Sequence, residues 1–320
     1  MHNEIILANP QVSHLALISK AKEFATSSFA ELTLKGYQKD WKLFEAWCEK
    51  QKLLAFPCPI NTLILYVTDL ANKGYKVSTL ERKVYAIAHI HFITNLPLNL
   101  KDSVFKIVFS GIKRKLGNIK KGKAPLMIRT LREIAQELKG DDNITIRDKA
   151  LITFGWASAM RRSEIIALNW FDIVYIDEGI LVNIRKSKTD QYGQVQKIAI
   201  LYGNNEDTCP VRNLKKWQAV SGDNEAIFTS VNKAGIISNK KLADTDVARI
   251  IKKLLVNIKL DPSEFAGHSL RSGFITTAAK HSVPDHIIMK HSRHKTSQML
   301  QVYTRDTSLV KDNATAMVGL

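Results

Sequence analysis

Residues in the C-terminal half of the chain have the types needed to transfer a phosphoryl group without a metal ion. Two arginines lie in Ala159-Met-Arg161-Arg-Ser-Glu164 and His268-Ser-Leu-Arg271, and His294 precedes Tyr303 by nine residues. An arginine fork binds phosphate in bidentate fashion and keeps its charge, while a histidine can move a proton. Because a phenol can attack phosphorus, the set predicts an enzyme that cuts and rejoins DNA through a tyrosine.

Each of these residues also has an ordinary structural interpretation. Arg161 and the adjacent Arg162 suit a helix surface, His268 suits a helix cap or a satisfied core position, and Tyr303 suits an apolar face. Lys188 suits a solvated loop; if it faced the site instead, it could protonate the leaving 5′ oxygen. The order and spacing of the whole set favour the catalytic interpretation.

The charge of the chain favours a polyanionic partner. The chain has 320 residues, 45% of them hydrophobic, and a formal net charge of +17. Nucleic acid is the first candidate partner and an anionic membrane surface the second. No apolar run approaches the ~20 residues of a membrane-spanning helix, and the first residues lack the basic region of a secretory signal. Cys48, Cys58 and Cys209 lack C-x-x-C spacing, so we expect reduced thiols in a cytoplasmic, nucleoid-associated protein.

A basic linker divides the chain into two predicted domains. Residues 116–125 contain two glycines, one proline and three lysines. Residues 1–115 are predicted to form a helical domain, of which 1–12 are loosely ordered. Residues 126–320 are predicted to form the catalytic domain, with a C-terminal tail over 304–320. Both domains carry a surplus of lysine and arginine, as a clamp around a duplex requires.

Helical periodicity recurs through the first domain. Ser78-Thr-Leu-Glu81 has the pattern of a capping box at the start of a helix that runs towards Asn95, and a further helix is predicted from Ser103 to Lys115. Two sets of apolar residues fall on single helix faces, namely Tyr37, Trp41, Phe44 and Cys48, then Ile60, Leu63, Val67 and Leu70. The prediction is a compact helical bundle.

The second domain is predicted to be mostly helical with one small antiparallel sheet. Thr130-Leu-Arg-Glu133 has the pattern of a second capping box, and residues 146–159 are apolar on nearly all sides. Residues 180–184 and 195–200 have the character of strands, joined by a hairpin loop over 187–193. Further helices are predicted at residues 163–168, after Asp244, at 269–281, from Pro284, and at 297–303.

These motifs resemble those of the tyrosine recombinase, or phage integrase, family. The resemblance is carried by Met160-Arg161-Arg-Ser-Glu164-Ile, a hairpin lysine, His268-Ser-Leu-Arg271-Ser-Gly, His294 and Tyr303, and it runs from about residue 125 to residue 305. It implies a mainly α fold with a small antiparallel β-sheet. In that fold a helical core-binding domain is followed by a catalytic domain of the DNA breaking-rejoining type.

The resemblance implies roles for the residues around the phosphate. Arg161 and Arg271 would clamp the scissile phosphate of the DNA. His268 would act as acid or base on the tyrosine, and His294 would hydrogen-bond the phosphate. Glu164 would support the arginine site structurally, although an exposed helix acid is an equal alternative.

The resemblance also implies the covalent step and the partners. Tyr303 would form a 3′-phosphotyrosyl bond, and Lys188 would protonate the leaving 5′ oxygen, although Lys186 competes for this role. No metal, ATP or other cofactor is implied. Members of the family work as homotetramers on two sites in double-stranded DNA. Residues 304–320 are long enough to form a short helix exchanged between subunits, with a frayed tail as the alternative.

One departure from the family pattern affects the third motif. The residue before the motif's histidine is usually glycine, and here it is Arg293. His291 therefore becomes a rival of His294, although the distance along the chain to Tyr303 favours His294.

Two departures affect the first motif. The doublet Arg161-Arg162 makes the register ambiguous, and the spacing to Glu164 favours Arg161. The glycine-leucine that usually precedes the first arginine is Ala159-Met160 here. We expect this last change to alter packing rather than chemistry.

Several functions remain in competition. The favoured one is a site-specific recombinase that integrates or excises a mobile element, with a chromosome-dimer resolvase of the same family as its alternative. Residues 268–279 and 284–290 also suit a helix-turn-helix, so a DNA-binding regulator without chemistry is another candidate. A type IB topoisomerase shares the tyrosine chemistry, but the small size and the hairpin favour a recombinase.

Overall fold

The computed structural model describes Leu17, Lys20, Tyr303 and residues 31–117, 122–185 and 196–301. The chain divides into two compact units between Lys121 and Gly122, within the predicted linker. The predictions for the first twelve residues, the hairpin loop and the C-terminal tail lie outside the described residues. None of the described helices combines the length and the hydrophobicity that crossing a lipid bilayer requires.

The described part of the first unit is a helical bundle with one core. Its helices are α1 (Glu31–Gln51), α2 (Ile60–Asn72), α3 (Val77–Ile93) and α4 (Ser103–Leu116). The two apolar faces predicted from the sequence both supply this core, which includes Phe44, Cys48, Leu63, Val67 and Leu70. The period of 3.6 residues therefore identified the buried sides of α1 and α2 correctly.

Polar side chains inside this bundle have partners. The Nε2 atom of His91 accepts a hydrogen bond from the Cys58 amide at 2.8 Å, and its Nδ1 donates to the Ile87 carbonyl at 2.9 Å. The Asp40 carboxylate pairs with Lys83 at 3.0 Å and with Arg82 at 2.5 Å. The Cys58 contact ties the segment between α1 and α2 to α3, and the Asp40 pairs tie α1 to α3, because buried polar groups are stable only when paired.

The described part of the second unit combines two small sheets with a larger number of helices. The helices are α5 (Ile128–Glu137), α6 (Asn143–Ala157), α7 (Arg162–Ala167), α8 (Pro210–Val220), α9 (Asp244–Asn257), α10 (Ser269–Lys280) and α11 (Asp285–Ser292). Residues 297–301 are also helical. The prediction of a mainly α fold with a small antiparallel sheet is confirmed. Helix α8 was not predicted from the sequence.

Both capping boxes were wrong. Helix α3 begins at Val77, and the residue before it, Lys76, makes no side-chain cap. Helix α5 likewise begins at Ile128, two residues before Thr130. Val77 is buried and Ile128 packs against the core, so each helix extends backwards past the residue that the motif marks as its cap.

A three-stranded antiparallel sheet carries the predicted hairpin. Strand β1 (Ile173–Ile176) pairs with β2 (Gly179–Ile184), which pairs with β3 (Gln196–Leu201). The last pair in the β2–β3 register is Ile184 with Gln196, where the hairpin loop begins and ends. A second, two-stranded sheet of β4 (Thr229–Val231) and β5 (Ile237–Lys241) was not predicted.

A close backbone contact fixes α10 beside the start of α5. The Leu126 amide donates to the Ser269 carbonyl at 2.9 Å, and the Leu126 carbonyl accepts from Trp156 Nε1 at 2.8 Å. A Cβ on Gly273 would overlap the Leu126 carbonyl oxygen. Only glycine permits this approach, which places the first turn of α10 against the end of α6.

Candidate active site

Four separate segments position the candidate residues in the second unit. Arg161 is the N-cap residue of α7, directly after the turn that follows α6. Arg271 lies in the first turn of α10, whose N-cap residue is His268. His294 follows α11, and Tyr303 lies in the helical segment beyond it. The fold therefore brings together residues that are up to 142 positions apart in the sequence.

Arg271 is held inside the protein by two contacts. Its side chain is among the largest that are fully buried, with 1% of the residue exposed. Its Nη1 atom donates to the Ala159 carbonyl at 2.6 Å, and its Nη2 atom donates to Nε2 of His294 at 3.1 Å. Burial, followed by the charges of Arg161 and Arg293, lowers the pKa of Arg271 to about 10. The guanidinium remains charged at neutral pH.

The bond from Arg271 fixes the tautomer of His294. A guanidinium only donates, so Nε2 of His294 must accept, and the ring proton is on Nδ1. That N–H faces the Ser292 hydroxyl at 2.7 Å, and the hydroxyl donates to the Ile288 carbonyl at 2.6 Å. Burial, with the Arg271 and Arg161 charges, lowers the pKa of His294 to about 4. His294 is therefore neutral near pH 7.

Glu164 joins two arginines at the start of α7. Its Oε1 accepts from Arg161 Nη1 at 2.7 Å, while its Oε2 accepts from the Arg161 amide at 2.8 Å and from Arg293 Nη2 at 2.5 Å. The carboxylate thus caps the helix and pairs both cations. Glu164 is 4% exposed, so the alternative of an exposed helix acid is wrong.

Arg293 is a site component that the sequence motif did not reveal. It ends α11 in the left-handed region at φ 59°, and its side chain is 7% exposed. Its Nε and Nη1 atoms are buried and have no hydrogen-bond partner. The only sequence signal was its position, where the family pattern has glycine.

Tyr303 and His268 lie at the edge of this cluster. The centroid of the Tyr303 ring is 5.8 Å from that of His294, and the Tyr303 carbonyl accepts from the Thr276 hydroxyl at 3.3 Å. The ring is half-buried and packs on a small apolar cluster around Ile275. His268 has an exposed ring, and partial burial with the Arg271 and Arg161 charges lowers its pKa.

The structure separates the rival residues of the two ambiguous motifs. His291 Nε2 bonds the Ala157 carbonyl at 2.8 Å and its ring stacks on Phe274 at 4.7 Å, whereas His294 contacts Arg271. Arg162 pairs with Asp244 at 3.2 Å on the protein surface, outside the cluster.

Two lysines of the hairpin loop compete for the role of the acid that protonates the leaving 5′ oxygen. Lys186 and Lys188 lie outside the described residues. The strand that leads to them ends beside Arg185, whose Nε donates to Asp172 at 2.6 Å and whose guanidinium lies 3.8 Å from the centre of the Phe171 ring. These contacts fix the start of the loop.

The cluster has the chemistry of an oxyanion site. Three guanidinium groups, those of Arg161, Arg271 and Arg293, lie with one carboxylate, that of Glu164, beside a phenol and two imidazoles. Such a site favours an anion with several oxygens, since arginines bind phosphate oxygens in pairs. Within the described residues, no group of His, Cys, Asp and Glu side chains is arranged to hold a metal ion.

The known proteins that this chain is similar to are integrases and recombinases. The model of the phage integrase family matches residues 127–309. The chain is 34% identical over 317 residues to the integrase/recombinase xerD homolog of Selenomonas ruminantium, covering 98% of this chain and 93% of that protein. The fold is similar to that of a lambda integrase dimer bound to a core site, with a TM-score of 0.60, 16% identity, and coverage of 91% and 94% of the two chains. It is also similar to the XerH site-specific recombinase in a post-cleavage complex, with a TM-score of 0.58, 14% identity, and coverage of 81% and 71%.

Proposed function

The chain belongs to the phage integrase family of tyrosine recombinases, and from this premise we propose that it cuts and rejoins duplex DNA at a specific site through Tyr303. The reaction forms a 3′-phosphotyrosyl bond and releases a 5′ hydroxyl. The 5′ hydroxyl of a second strand can then attack the phosphotyrosyl bond and reseal the DNA. Because the phosphodiester energy is kept in the covalent bond, the resealing step needs no external energy source.

The convergence of Arg161, Arg271, His294 and Tyr303 carries this proposal. Arg271 is buried, bonds His294 at 3.1 Å, and His294 lies against the Tyr303 ring. Burying a charged arginine is unfavourable unless it is compensated, so its position calls for an anionic ligand at this place. A scissile phosphate beside the phenol is the ligand that fits.

The proposed roles follow from the properties of each group. Arg161 and Arg271 bind the non-bridging oxygens and stabilise the charge that develops on them. The Tyr303 oxygen attacks phosphorus and loses its proton to His268, since a hydroxyl nucleophile needs a base to remove its proton. The bond from phosphorus to the 5′ oxygen breaks, and Lys188 supplies the proton that this oxygen takes up.

Double-stranded DNA is the proposed partner, with a homotetramer acting on two sites. A formal net charge of +17 supports a polyanionic partner. The similar lambda integrase structure is bound to a core site, and the similar XerH structure is bound to its palindromic difH substrate. Residues 304–320 are the proposed segment for exchange between subunits.

The trapping of a covalent adduct tests the chemistry. A DNA site with a nick beside the scissile phosphate loses the 5′ hydroxyl fragment after cleavage, so the phosphotyrosyl adduct accumulates. Tyr303→Phe should form less than about a thousandth of the wild-type adduct, because it lacks the attacking oxygen, while it binds DNA normally. Denaturing gel electrophoresis measures the adduct, and a mobility shift measures binding.

A second tyrosine provides the matched control. Tyr175→Phe removes a hydroxyl that donates to Gln218 at 2.8 Å, and it should form adduct at the wild-type rate. Adduct formation by Tyr303→Phe would disprove the assignment of the nucleophile. Normal biological activity of that variant would instead favour a DNA-binding regulator.

We propose integration or excision of a mobile element as the biological role. Sequencing of the DNA that remains attached to Tyr303 in cells maps the cleavage sites. Sites at the ends of an inserted element, with flanking repeats, support this role. A single chromosomal site with no inserted element supports a chromosome-dimer resolvase, and relaxation of supercoils at random sequences supports a topoisomerase.

A further inference from the structure

Arg293 occupies a position that is unfavourable for an arginine in three respects. Its backbone has the left-handed conformation, which glycine adopts most easily. Its side chain is buried, and burial lowers its pKa, although Glu164 opposes that change. Two of its N–H-bearing atoms, Nε and Nη1, have no partner. A glycine or an asparagine would satisfy the backbone without these penalties.

The partner of Arg293 is the same carboxylate that holds Arg161. The two oxygens of Glu164 accept from different guanidinium groups, Oε1 from Arg161 Nη1 and Oε2 from Arg293 Nη2, and Oε2 also accepts from the Arg161 amide. With Arg271 included, three guanidinium groups and one carboxylate leave a formal surplus of two positive charges. Without Arg293, the surplus would be one, and Glu164 would have Arg161 as its only cationic partner among these groups.

We propose that Arg293 is a positioning residue for the reaction: by sharing the Glu164 carboxylate, it leaves Arg161 available to the scissile phosphate and gives the site a second surplus charge. This inference rests on the proposed function. A phosphodiester carries one negative charge, and a second develops on its oxygens if the attacking oxygen bonds to phosphorus before the leaving group departs. The extra charge therefore favours the transition state over the bound DNA. His294, which is neutral near pH 7, does not supply it.

The competing explanation is that Arg293 only anchors the turn after α11. The two explanations differ in how Arg293 and Glu164 depend on each other. If Arg293 acts by balancing the carboxylate, then removal of the carboxylate charge should make Arg293 dispensable. If it is only an anchor, its loss should impair the enzyme to the same degree whether residue 164 is charged or neutral.

The experiment is a double-mutant cycle on the rate of adduct formation in the full-length protein. The variants are Arg293→Asn, which tolerates the left-handed backbone, Glu164→Gln, the double variant, and Arg293→Lys, which keeps the charge. The rate is measured in single turnovers over a range of DNA concentrations with the nicked site. This design separates the rate at saturating DNA from the concentration that gives half of it.

We expect Arg293→Asn to lower the saturating rate about tenfold or more, with little change in the half-saturating DNA concentration. In the Glu164→Gln background the same substitution should change the rate less than about threefold, because the double variant still has a surplus of two positive charges, as the wild type has. Arg293→Lys should recover most of the rate. An unchanged rate in Arg293→Asn, or an equal loss in both backgrounds, would overturn the proposal.

Two further measurements distinguish a failure of this proposal from a failure of folding and from a failure of the proposed function. If Arg293→Asn does not fold, Arg293→Lys decides: a rate close to the wild type supports the proposal, and a tenfold loss overturns it. If the wild type forms no adduct on any DNA, the proposed function fails, and inorganic phosphate then serves as the probe. Thermal stabilisation by phosphate should be weaker in Arg293→Asn and recover in the double variant; equal stabilisation of all variants would overturn the charge role itself.

Discussion

At the residue scale, both ring nitrogens of His294 are engaged in hydrogen bonds within the protein when no DNA is bound. Its Nδ1–H is committed to Ser292, and its Nε2 accepts from Arg271. Neither nitrogen can donate to a phosphate while these bonds persist. A phosphate that binds Arg271 must therefore compete with His294, and His294 can contribute a proton only after the imidazole changes its tautomer or its charge.

The depressed pKa of His294 makes stability depend on pH. The pKa is about 4 in the folded protein, compared with an ordinary value of 6.5. Between these values the unfolded chain binds the proton and the folded protein does not, so stability is lost as pH falls through this window. We expect His294→Asn to lose about 1 to 2 kcal/mol less than the wild type between pH 7 and pH 5. Urea denaturation at the two pH values measures this difference.

The exposed residue His286 provides the control for that measurement. It lies on α11, the helix that precedes His294, and it is exposed to solvent. His286→Asn should follow the wild-type pH dependence. If His294→Asn also followed it, the depressed pKa of His294 would be wrong.

Motif spacing in the sequence was enough to choose between rival residues of the cluster, but it did not reveal every member of the cluster. The spacing to Glu164 favoured Arg161 over Arg162, and the distance to Tyr303 favoured His294 over His291; the structure places both favoured residues in the cluster. Arg293 was different, since only the backbone shows that its position is left-handed.

The same reason accounts for Ala159. It occupies a family glycine position and has a φ of 48°. We expected a change in packing there, but sequence could not show that Ala159 also presents its carbonyl to Arg271. The two residues that replace a family glycine, Ala159 and Arg293, thus both lie where the backbone favours glycine.

At the element scale, the position of α10 decides whether the site forms. Arg271 reaches Ala159 only because α10 lies close to the turn after α6, and Gly273 permits that approach by leaving space for the Leu126 carbonyl. Gly155 in α6 acts similarly, since a Cβ there would lie 2.9 Å from Leu270. Helix position and site geometry are therefore coupled through two glycines.

Glycine-to-alanine substitutions in two helices test this coupling. Gly273→Ala should destabilise the second unit by about 2 to 4 kcal/mol, because the added methyl group would overlap the Leu126 carbonyl. Gly111 in α4 is exposed and has no atom within 4 Å of the place that a Cβ would take, so Gly111→Ala should stabilise its helix by about 1 kcal/mol. Urea denaturation of both variants measures the opposite signs. Similar stability of Gly273→Ala and the wild type would show that α10 can shift without loss.

Element types were predicted more reliably than element boundaries. The period of apolar residues found α1, α2 and α9, whose inner face of Val247, Ile250, Ile251, Leu254 and Leu255 is buried. Capping motifs failed at Ser78 and Thr130, because a buried apolar residue before each motif extended the helix. Strands β1, β4 and β5 have three to five residues each, which is too short for alternation to distinguish them from loops.

At the scale of the whole molecule, each unit has its own apolar core. The first unit spans Met1–Lys121 and the second Gly122–Leu320. Each core is built from the side chains of a single unit, so we expect each unit to be able to unfold independently. Since a smaller domain buries a smaller fraction of its surface, we expect the first unit to be the less stable one.

The three cysteines allow each unit to be followed separately. All are free and buried, with Cys48 and Cys58 in the first unit and Cys209 in the second. Burial raises the pKa of Cys48 to about 11 and that of Cys58 to about 12, so these thiols should react only after unfolding. In pulsed thiol labelling over a urea series, with each cysteine identified by peptide mass spectrometry, Cys48 and Cys58 should react together at a lower urea concentration than Cys209. Reaction of all three cysteines in one transition would show instead that the two units unfold cooperatively. In that case the larger core would stabilise the smaller one.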